Sequence, residues 1–193
     1  MLIVGLTGSM GMGKTTTSDM FRRAGIAVHD SDLTVHELYA SSAAELISKA
    51  FPGVVEQGVV NRTALAGRVL NNESALRRLQ MIVHPLVQAH REAFIDQVRL
   101  RGAALCIVDI PLLFETEADR ATDMALVVTA PAHVQKQRVM SRPGMTEAKF
   151  QAILSKQMPD AQKRLRAHWI IDTSSGLKCA NRQVDGVLRA LVR

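Results

Sequence analysis

The stretch Gly8-Ser9-Met10-Gly11-Met12-Gly13-Lys14-Thr15 matches the pattern G-x-x-x-x-G-K-[ST] at every fixed position. It follows a short apolar run at residues 2–6 and opens a segment with helical spacing. Glycines let the backbone wrap closely around an anion, and the unpaired N–H groups at the start of the helix face the same anion. The stretch therefore predicts a strand, a phosphate-binding loop and a helix, in that order.

Within this loop, two side chains are predicted to act on a bound triphosphate. Lys14 would contact the β- and γ-phosphates, and the hydroxyl of Thr15 would ligate Mg²⁺. The motif does not specify the acceptor of the γ-phosphoryl group. Water, a protein and a small-molecule hydroxyl all remain open as acceptors.

The pattern around the loop predicts an α/β fold of three layers with a five-stranded parallel sheet. Short apolar runs alternate with longer stretches of helical spacing, as in parallel sheets covered by helices. A helix of about eleven residues is expected from Lys14, with Gly25 at its C-terminal cap. The five predicted strands lie at residues 2–6, 26–29, 105–110, 124–129 and 169–172.

Residues 31–102 contain no convincing strand, but apolar residues recur at near-helical spacing between Leu65 and Val87. We therefore expect an inserted helical region, in which Pro85 ends or kinks a helix. Further helices are expected at residues 132–140, from Thr146 towards Met158, and at residues 178–191.

Length and composition indicate one globular domain. The chain has 193 residues, of which 47% are hydrophobic and 22% charged, which excludes a disordered chain and a coiled coil. Its apolar runs are too short to span a membrane. Met1 leads directly into the first apolar run without a basic segment, so we expect a buried strand there, not a signal peptide, and a cytoplasmic protein. The two cysteines are expected to be reduced.

The formal net charge of +6 is concentrated in residues 133–168, which hold eight Lys or Arg against two acids. Such an excess suits a small, highly charged anion such as a nucleotide. A solvated basic helix or a nucleic-acid-binding stripe would give the same count.

Carboxylates follow two of the predicted strands. Asp30 and Asp32 come after the second strand, at the edge of the sheet where the phosphate loop lies. They could act as a general base for a substrate hydroxyl, hold Mg²⁺ through water, or cap the next helix. Asp109 ends the third strand, and is a candidate metal ligand or a structural acid.

Basic residues supply further candidates for anion binding. Arg138 and Arg142 are four positions apart, so they share a helix face if the helix persists that far, and could grip phosphates together. A solvated basic face is the alternative. In the helical insertion, Arg62 could reach an anionic substrate or lie on the surface, and His84 could contact a ligand or serve as a polar core residue.

Taken together, these pieces resemble the dephospho-CoA kinase family over nearly the whole chain. The run after the strand acid, Pro111-Leu112-Leu113-Phe114-Glu115, is particularly informative because it is not a general nucleotide-kinase pattern. The ordered set that carries the resemblance is Val4-Gly5-Leu6-Thr7-Gly8, Asp30-Ser31-Asp32 with His36, Arg62 with Leu65, Ile82-Val83-His84-Pro85, Asp109 to Glu115, Gln135-x-x-Arg138-x-x-x-Arg142, and Gln157.

The resemblance implies a single P-loop kinase domain over residues 1–193, with a core like that of nucleoside-monophosphate kinases. It further implies a helical CoA-substrate insertion at about 60–100 and a lid at about 133–160. The implied reaction is transfer of phosphate from ATP to the ribose 3′-hydroxyl of dephospho-CoA, giving ADP and coenzyme A. Asp32 matches the acid that takes the hydroxyl proton, Lys14 neutralises the transferring group, and Arg138 and Arg142 match lid arginines near the phosphates.

The resemblance also assigns binding residues, with ATP and Mg²⁺ as the implied co-substrate and ion. The implied ATP contacts are Gly8, Gly11, Met12, Gly13, Lys14, Thr15, Thr16, Arg138 and Arg142. The implied acceptor contacts are Asp32, Arg62, His84, Pro111 and Leu112. Thr15 and Asp109 are the candidate Mg²⁺ ligands. The sequence departs from the family pattern at Ser9-Met10, at Met12, and at Asp172-Thr173, where Asp-Asn is usual.

Two other classes of function compete with this interpretation. A kinase for another small acceptor, such as a nucleoside monophosphate or shikimate, would use the same core. A nucleotide switch or a nucleic-acid-binding protein could use the basic segment for a partner, although the sequence has no N-K-x-D guanine motif. We expect ATP and dephospho-CoA as ligands, no nucleic-acid or membrane partner, and a monomer or weak homo-oligomer.

Overall fold

The computed structural model describes residues 1–70 and 72–192. Seven strands and nine α-helices are assigned within these ranges, together with a 3₁₀ turn at Ala118–Ala121. The strands are β1 (Leu2–Thr7), β2 (Val28–Asp30), β3 (Val55–Glu56), β4 (Val59–Val60), β5 (Leu105–Asp109), β6 (Met124–Thr129) and β7 (Trp169–Asp172). The helices are α1 (Lys14–Arg23), α2 (Ser31–Tyr39), α3 (Ser42–Ala50), α4 (Arg62–Val69), α5 (Glu73–Leu100), α6 (Ala132–Met140), α7 (Glu147–Leu154), α8 (Asp160–Arg166) and α9 (Leu177–Leu191).

The main sheet confirms the predicted α/β fold. Its five strands are ordered β2-β5-β1-β6-β7, and β1 pairs in parallel with both β5 and β6, as does β6 with β7. All five predicted strands are present, with ends within two residues of the prediction. Helix α1 starts at Lys14 as expected, and Gly25 follows it with a φ of +82°.

The chain divides into two compact units. The first, called here the sheet unit, comprises Met1–His29 and Gln97–Arg193, and the second, the helical unit, comprises Asp30–Asp96. The core of the sheet unit joins the central strands to α1 and α9 through buried residues such as Leu6, Phe21 and Val184. The helical unit has its own core, which includes Ile47, Leu65 and Leu79. It starts at Asp30, earlier than the predicted insertion at about residue 60.

For residues 31–102, the expectation of no strand was wrong, and of the two alternatives for Pro85, a helix end or a kink, the first is excluded. The segment contains a short antiparallel pair, β3 with β4, joined by Gln57 and Gly58 at positive φ. Strands of two residues are too short to show a period. Helix α5 does not end at Pro85 but continues from Glu73 to Leu100, and buried residues such as Leu79 and Val98 lie on either side of the proline.

The last third of the chain has one more helix than expected. Helix α7 begins after Thr146, whose hydroxyl accepts a hydrogen bond from the N–H of Lys149, but it ends at Leu154 instead of continuing to Met158. The short helix α8 then follows Pro159. Of the helices described, none is both long and apolar enough to cross a membrane.

Candidate active site

The phosphate loop depends on glycine at two positions for steric reasons. A Cβ atom at Gly8 would lie 2.7 Å from the carbonyl oxygen of Val128, and one at Gly11 would lie 2.5 Å from Cγ2 of Val139. Gly11 also adopts a φ of +81°, which disfavours any residue with a side chain. The loop therefore packs too tightly against β6 and α6 to accept a larger residue.

Helix α1 begins directly at the loop, and its first turn has no side-chain cap. The N-cap residue is Gly13, with a φ of +95° and no side chain to accept the first N–H groups. These donors and the positive end of the helix dipole suit a bound anion. The geometry fits the predicted nucleotide contacts at Gly13, Lys14, Thr15 and Thr16.

Lys14 and Asp109 lie together because β1, which leads into the phosphate loop, pairs with β5, which ends at Asp109. The ammonium of Lys14 donates a hydrogen bond to Oδ1 of Asp109, and the hydroxyl of Ser18 donates to Oδ2 at 2.5 Å. Asp109 is only 1% exposed, so its charge must be compensated. The pair holds the Lys14 ammonium beside the phosphate loop. Sequence analysis missed Ser18, although it lies one turn after Lys14 on α1.

The candidate Mg²⁺ ligands are the Thr15 hydroxyl, which is exposed in the first turn of α1, and the Asp109 carboxylate. Both are hard oxygen donors, which Mg²⁺ prefers. Among the residues that the structure describes, there is no cluster of three or more His, Cys, Asp or Glu side chains that could hold a metal alone. The exposed Thr15 hydroxyl fits an ion that receives its other ligands from phosphate and water, as Mg²⁺ does in nucleotide sites. Both oxygens of the buried Asp109 are engaged by Lys14 and Ser18.

The tip of the loop is held by residues from the predicted lid segment. The side-chain amide of Gln135 on α6 donates to the carbonyl oxygen of Met10 at 2.7 Å. The N–H of Met10 donates in turn to Oε1 of Gln157 at 3.1 Å. Both Gln135 and Gln157 belong to the pattern that carries the family resemblance, and the structure places them on the phosphate loop.

Arg138 and Thr173 form a second support for the loop. The Arg138 guanidinium donates to the hydroxyl and to the carbonyl oxygen of Thr173, each at 2.8 Å. The Thr173 hydroxyl donates to the carbonyl oxygen of Met12 at 2.8 Å. Thr173 stands where the family usually has Asn, and its contacts show that the hydroxyl connects the lid segment to the phosphate loop.

Arg142 does not share a helix face with Arg138. Helix α6 ends at Met140, and Ser141 is its C-cap, so Arg142 lies beyond the helix. Its side chain is exposed. Joint binding of phosphate by Arg138 and Arg142 from one helix face, which required the helix to reach Arg142, is therefore not supported.

The segment after β5 is held from two directions. The carbonyl oxygen of Pro111 accepts hydrogen bonds from the hydroxyl of Thr7 at 2.9 Å and from the ammonium of Lys163 at 3.4 Å. Lys163 is fully buried and pairs with Glu115 at 2.8 Å. The burial of Lys163 was not predictable from the sequence, because its basic neighbours are typical of a solvated helix.

The helical unit contains a cavity of about 490 Å³. Asp32 and Arg62 both line it, together with Val35, His36, Tyr39, Leu65, Ala66, Val69 and Leu79. The Nη1 atom of Arg62 lies 3.2 Å from both ring nitrogens of His36, which places it over the face of the ring. Burial raises the pKa of the Tyr39 hydroxyl, and the positive charge of Arg62 opposes that shift.

Asp30, the N-cap of α2, and Asp32, in its first turn, have different surroundings. Oδ1 of Asp30 accepts hydrogen bonds from the N–H groups of Asp32 and Leu33, both at 3.0 Å, and so caps the helix. The Asp32 side chain is exposed and lines the cavity. His84 is exposed on α5, so it is not a core residue, and the described lining of the cavity does not include it.

Comparison with known proteins identifies the family. The model of the dephospho-CoA kinase family (CoaE) matches residues 2–178. The chain belongs to the dephospho-CoA kinase family. The match spans the phosphate loop of the sheet unit and the cavity residues of the helical unit.

Individual members of the dephospho-CoA kinase family align with the chain over its full length. The chain is 53% identical to the dephospho-CoA kinase of Mesorhizobium japonicum over 191 residues, which cover 99% of this chain and 97% of the relative. It is 48% identical to that of Brucella melitensis over 191 residues, with 99% and 96% covered.

Solved structures confirm the predicted P-loop kinase-like fold. The protein TT1252 from Thermus thermophilus superposes with a TM-score of 0.84 at 32% identity, covering 98% of this chain and 97% of that one. The shikimate kinase of Acinetobacter baumannii superposes with a TM-score of 0.55 at 18% identity, covering 100% and 93%. The second likeness concerns the fold alone.

Proposed function

We propose that this protein transfers the γ-phosphoryl group of ATP to the ribose 3′-hydroxyl of dephospho-CoA, giving ADP and coenzyme A. The observation that carries the proposal is the family match over residues 2–178, supported by 53% identity to a curated dephospho-CoA kinase. The residues implied for both substrates fall within the matched range.

The phosphate loop supplies electrostatic stabilisation and positioning. Backbone N–H groups of Gly11, Gly13 and the first turn of α1 hold the phosphates, and the Lys14 ammonium offsets the charge on the β- and γ-oxygens. Lys14 is already fixed by Asp109, so little reorganisation is needed when the nucleotide binds. The Thr15 hydroxyl would hold Mg²⁺, which neutralises phosphate charge and orients the transferring group. Asp109 would become a ligand only by giving up its bond to Lys14 or to Ser18.

The lid arginines act on the same phosphates in this proposal. Arg142 has an exposed guanidinium beyond α6, free of the helix geometry that restrains Arg138. Arg138 is fixed through Thr173 to the carbonyl of Met12, next to the predicted nucleotide contacts. Guanidinium groups pair with phosphate oxygens through two parallel hydrogen bonds.

The cavity of the helical unit is the proposed acceptor site. Arg62 provides the positive charge that suits the diphosphate of dephospho-CoA, and the apolar side chains of Leu65 and Val69 suit its uncharged parts. Asp32 is the proposed general base, since its carboxylate is exposed in the cavity, whereas Asp30 is engaged as a helix cap. Phosphoryl transfer needs a base mainly to orient the hydroxyl and accept its proton.

We also propose a cytoplasmic protein that is a monomer or a weak homo-oligomer. Cys106 in β5 and Cys179 in α9 are both free thiols, which suits a reducing compartment. Sedimentation velocity over a range of concentrations would establish the oligomeric state.

An acceptor assay tests the proposed function. Purified protein with ATP and Mg²⁺ should form ADP in the presence of dephospho-CoA, but not with shikimate or a nucleoside monophosphate. Phosphorylation of the 3′-hydroxyl removes the vicinal ribose diol, so the product should resist periodate cleavage, whereas dephospho-CoA is cleaved. Turnover of shikimate or a nucleoside monophosphate without turnover of dephospho-CoA would contradict the proposal. Salt-dependent RNA or DNA binding without kinase activity would favour the nucleic-acid alternative.

A further inference from the structure

Lys163 and Glu115 form a buried ion pair in the sheet unit. Lys163 lies on α8 with 0% of its side chain exposed, and Glu115 lies in the segment after β5 with 15% exposed. Lysine is rarely buried unless it is paired, because removal of its charge from water is costly. The 2.8 Å contact between Lys163 Nζ and Glu115 Oε1 is therefore a fixed feature of the fold.

The pair restrains both ends of the segment from Pro111 to Glu115. At one end, the Lys163 ammonium also donates to the carbonyl oxygen of Pro111, which the Thr7 hydroxyl bonds from the other side. At the other end, Oε1 of Glu115 accepts the N–H of Met158 at 2.7 Å. One buried ammonium thus connects α8 to Pro111, which follows β5, and through Glu115 to Met158 near the end of the predicted lid.

The segment does not depend on this pair to stay packed. Leu113 and Phe114, between Pro111 and Glu115, are 0% and 3% exposed. The Arg166 guanidinium lies 4.5 Å from the centre of the Phe114 ring. Apolar burial and this cation–π contact hold the middle of the segment. The ion pair acts instead on its ends, and so on the position of the backbone at Pro111 and Leu112.

We propose that Lys163 is a positioning residue for the acceptor. It acts through the carbonyl of Pro111 and the carboxylate of Glu115, and sets where Pro111 and Leu112 meet dephospho-CoA. This inference rests on the proposed function together with the acceptor contacts at Pro111 and Leu112 that the family resemblance implies. A displacement of about 1 Å in such a contact can cost about a hundredfold in rate.

The test compares removal of one charge of the buried pair with removal of both. Oε2 of Glu115 is buried without a hydrogen-bond partner among the described residues. A buried pair of this kind is replaced by neutral side chains at little cost in stability, whereas removal of one partner leaves an uncompensated charge. The double variant Lys163→Met with Glu115→Gln removes both charges and keeps an acceptor for the Met158 N–H. It therefore separates positioning from stability.

The experiment measures melting temperature and the Michaelis constants for both substrates in full-length protein. We expect Lys163→Met to lower the melting temperature and to raise the KM for dephospho-CoA about tenfold or more, while the KM for ATP changes by less than about twofold. In the double variant the melting temperature should recover, and the KM for dephospho-CoA should stay raised. Arg164→Met, which removes a partly exposed ion pair with Asp160 on the same helix, is the control and should match the wild type.

Other outcomes overturn the inference. A double variant that regains both melting temperature and acceptor KM would show that the pair only stabilises the fold. Equal rises in the two Michaelis constants would also contradict a role specific to the acceptor. Should Lys163→Met not fold, the double variant alone decides. Failure of the wild type to phosphorylate dephospho-CoA would refute the proposed function, and is recognisable before any variant is measured.

Discussion

At the scale of single residues, the carboxylates of Asp30 and Asp32 at the start of α2 have different predicted roles. Oδ1 of Asp30 accepts hydrogen bonds from two backbone N–H groups, whereas the carboxylate of Asp32 lines the cavity. Asp32→Asn should lower kcat by about 10²–10⁴, the usual contribution of a general base, and leave the affinity for ATP unchanged. Steady-state kinetics with calorimetric titration of ATP would check this.

Asp30→Asn is the matched control for that prediction. Asparagine caps a helix about as well as aspartate, so this variant should keep wild-type stability and kcat. An unchanged kcat in Asp32→Asn together with loss of Mg²⁺ binding would instead make Asp32 part of the metal site.

Glycine at position 11 is required by contact as well as by conformation. Its φ of +81° and the 2.5 Å approach to Val139 both oppose a Cβ atom. Gly11→Ala should therefore displace the loop and weaken ATP binding about tenfold or more, measured by calorimetry. Gly25→Ala has the same backbone strain, a φ of +82°, but nothing within 4 Å, so it should cost about 1–2 kcal/mol of stability and leave ATP affinity unchanged. Equal ATP affinities in the two variants would contradict the steric argument.

The candidate site residues that could be predicted from the sequence are those whose spacing suggests their chemistry. Lys14, Thr15 and Asp109 follow from the loop motif and from the way parallel strands bring their ends to one edge. Ser18, Thr173 and Lys163 were not identified, because their roles arise from the side chains that surround them. A basic residue in a charged segment gives no sign in the sequence that it is fully buried.

At the scale of elements, strands of the main sheet were predictable because buried parallel strands are almost continuously apolar. The β3–β4 hairpin was missed because two residues show no period. The continuity of helix α5 could not be decided from the sequence, because a proline such as Pro85 either ends or kinks a helix. Buried residues on both sides of Pro85 favour a helix that continues through it. Burial depends on tertiary packing, which the local sequence does not show.

Pro85 should therefore destabilise the helix that contains it. The residue is exposed, and within a helix proline costs about 3 kcal/mol relative to alanine. We expect Pro85→Ala to raise the free energy of unfolding by about 1–3 kcal/mol, measured by urea denaturation. Ala89→Pro, at an exposed position one turn later, is the reverse control and should lower it by about 3 kcal/mol. A loss of stability in Pro85→Ala would show that the proline is required where it is.

At the scale of the whole molecule, the two units hold different parts of the predicted chemistry. The phosphate loop, Asp109 and the lid arginines belong to the sheet unit, whereas Asp32 and Arg62 belong to the helical unit. The length of the chain gave no sign of this division, since 193 residues suit one domain. Each unit has its own core of buried apolar residues.

Cys106 makes the stability of the sheet unit depend on pH. Burial raises the pKa of its thiol from 9.0 to about 11, with smaller effects from Arg99, Asp123 and the N-terminus. Between these values the folded thiol keeps its proton and the unfolded thiol loses it. The unfolded state therefore binds fewer protons, and the free energy of unfolding should fall as pH rises from 9.0 towards about 11. In Cys106→Ala, urea denaturation at several pH values should show a smaller fall.

The same thiol reports on nucleotide binding to the sheet unit. At pH 8 a thiol reagent should modify the partly exposed Cys179 quickly, and Cys106, which is 0% exposed, only when the unit unfolds. A ligand that binds the folded state at 100 times its Kd lowers the unfolded fraction about a hundredfold. ATP with Mg²⁺ at that concentration should therefore slow labelling of Cys106 about a hundredfold and leave Cys179 unaffected, as followed by mass spectrometry.

Lys14→Ala should lose this protection at the same ATP concentration, because the lysine no longer binds the phosphates. Equal protection in Lys14→Ala would mean that the nucleotide binds elsewhere than at the phosphate loop.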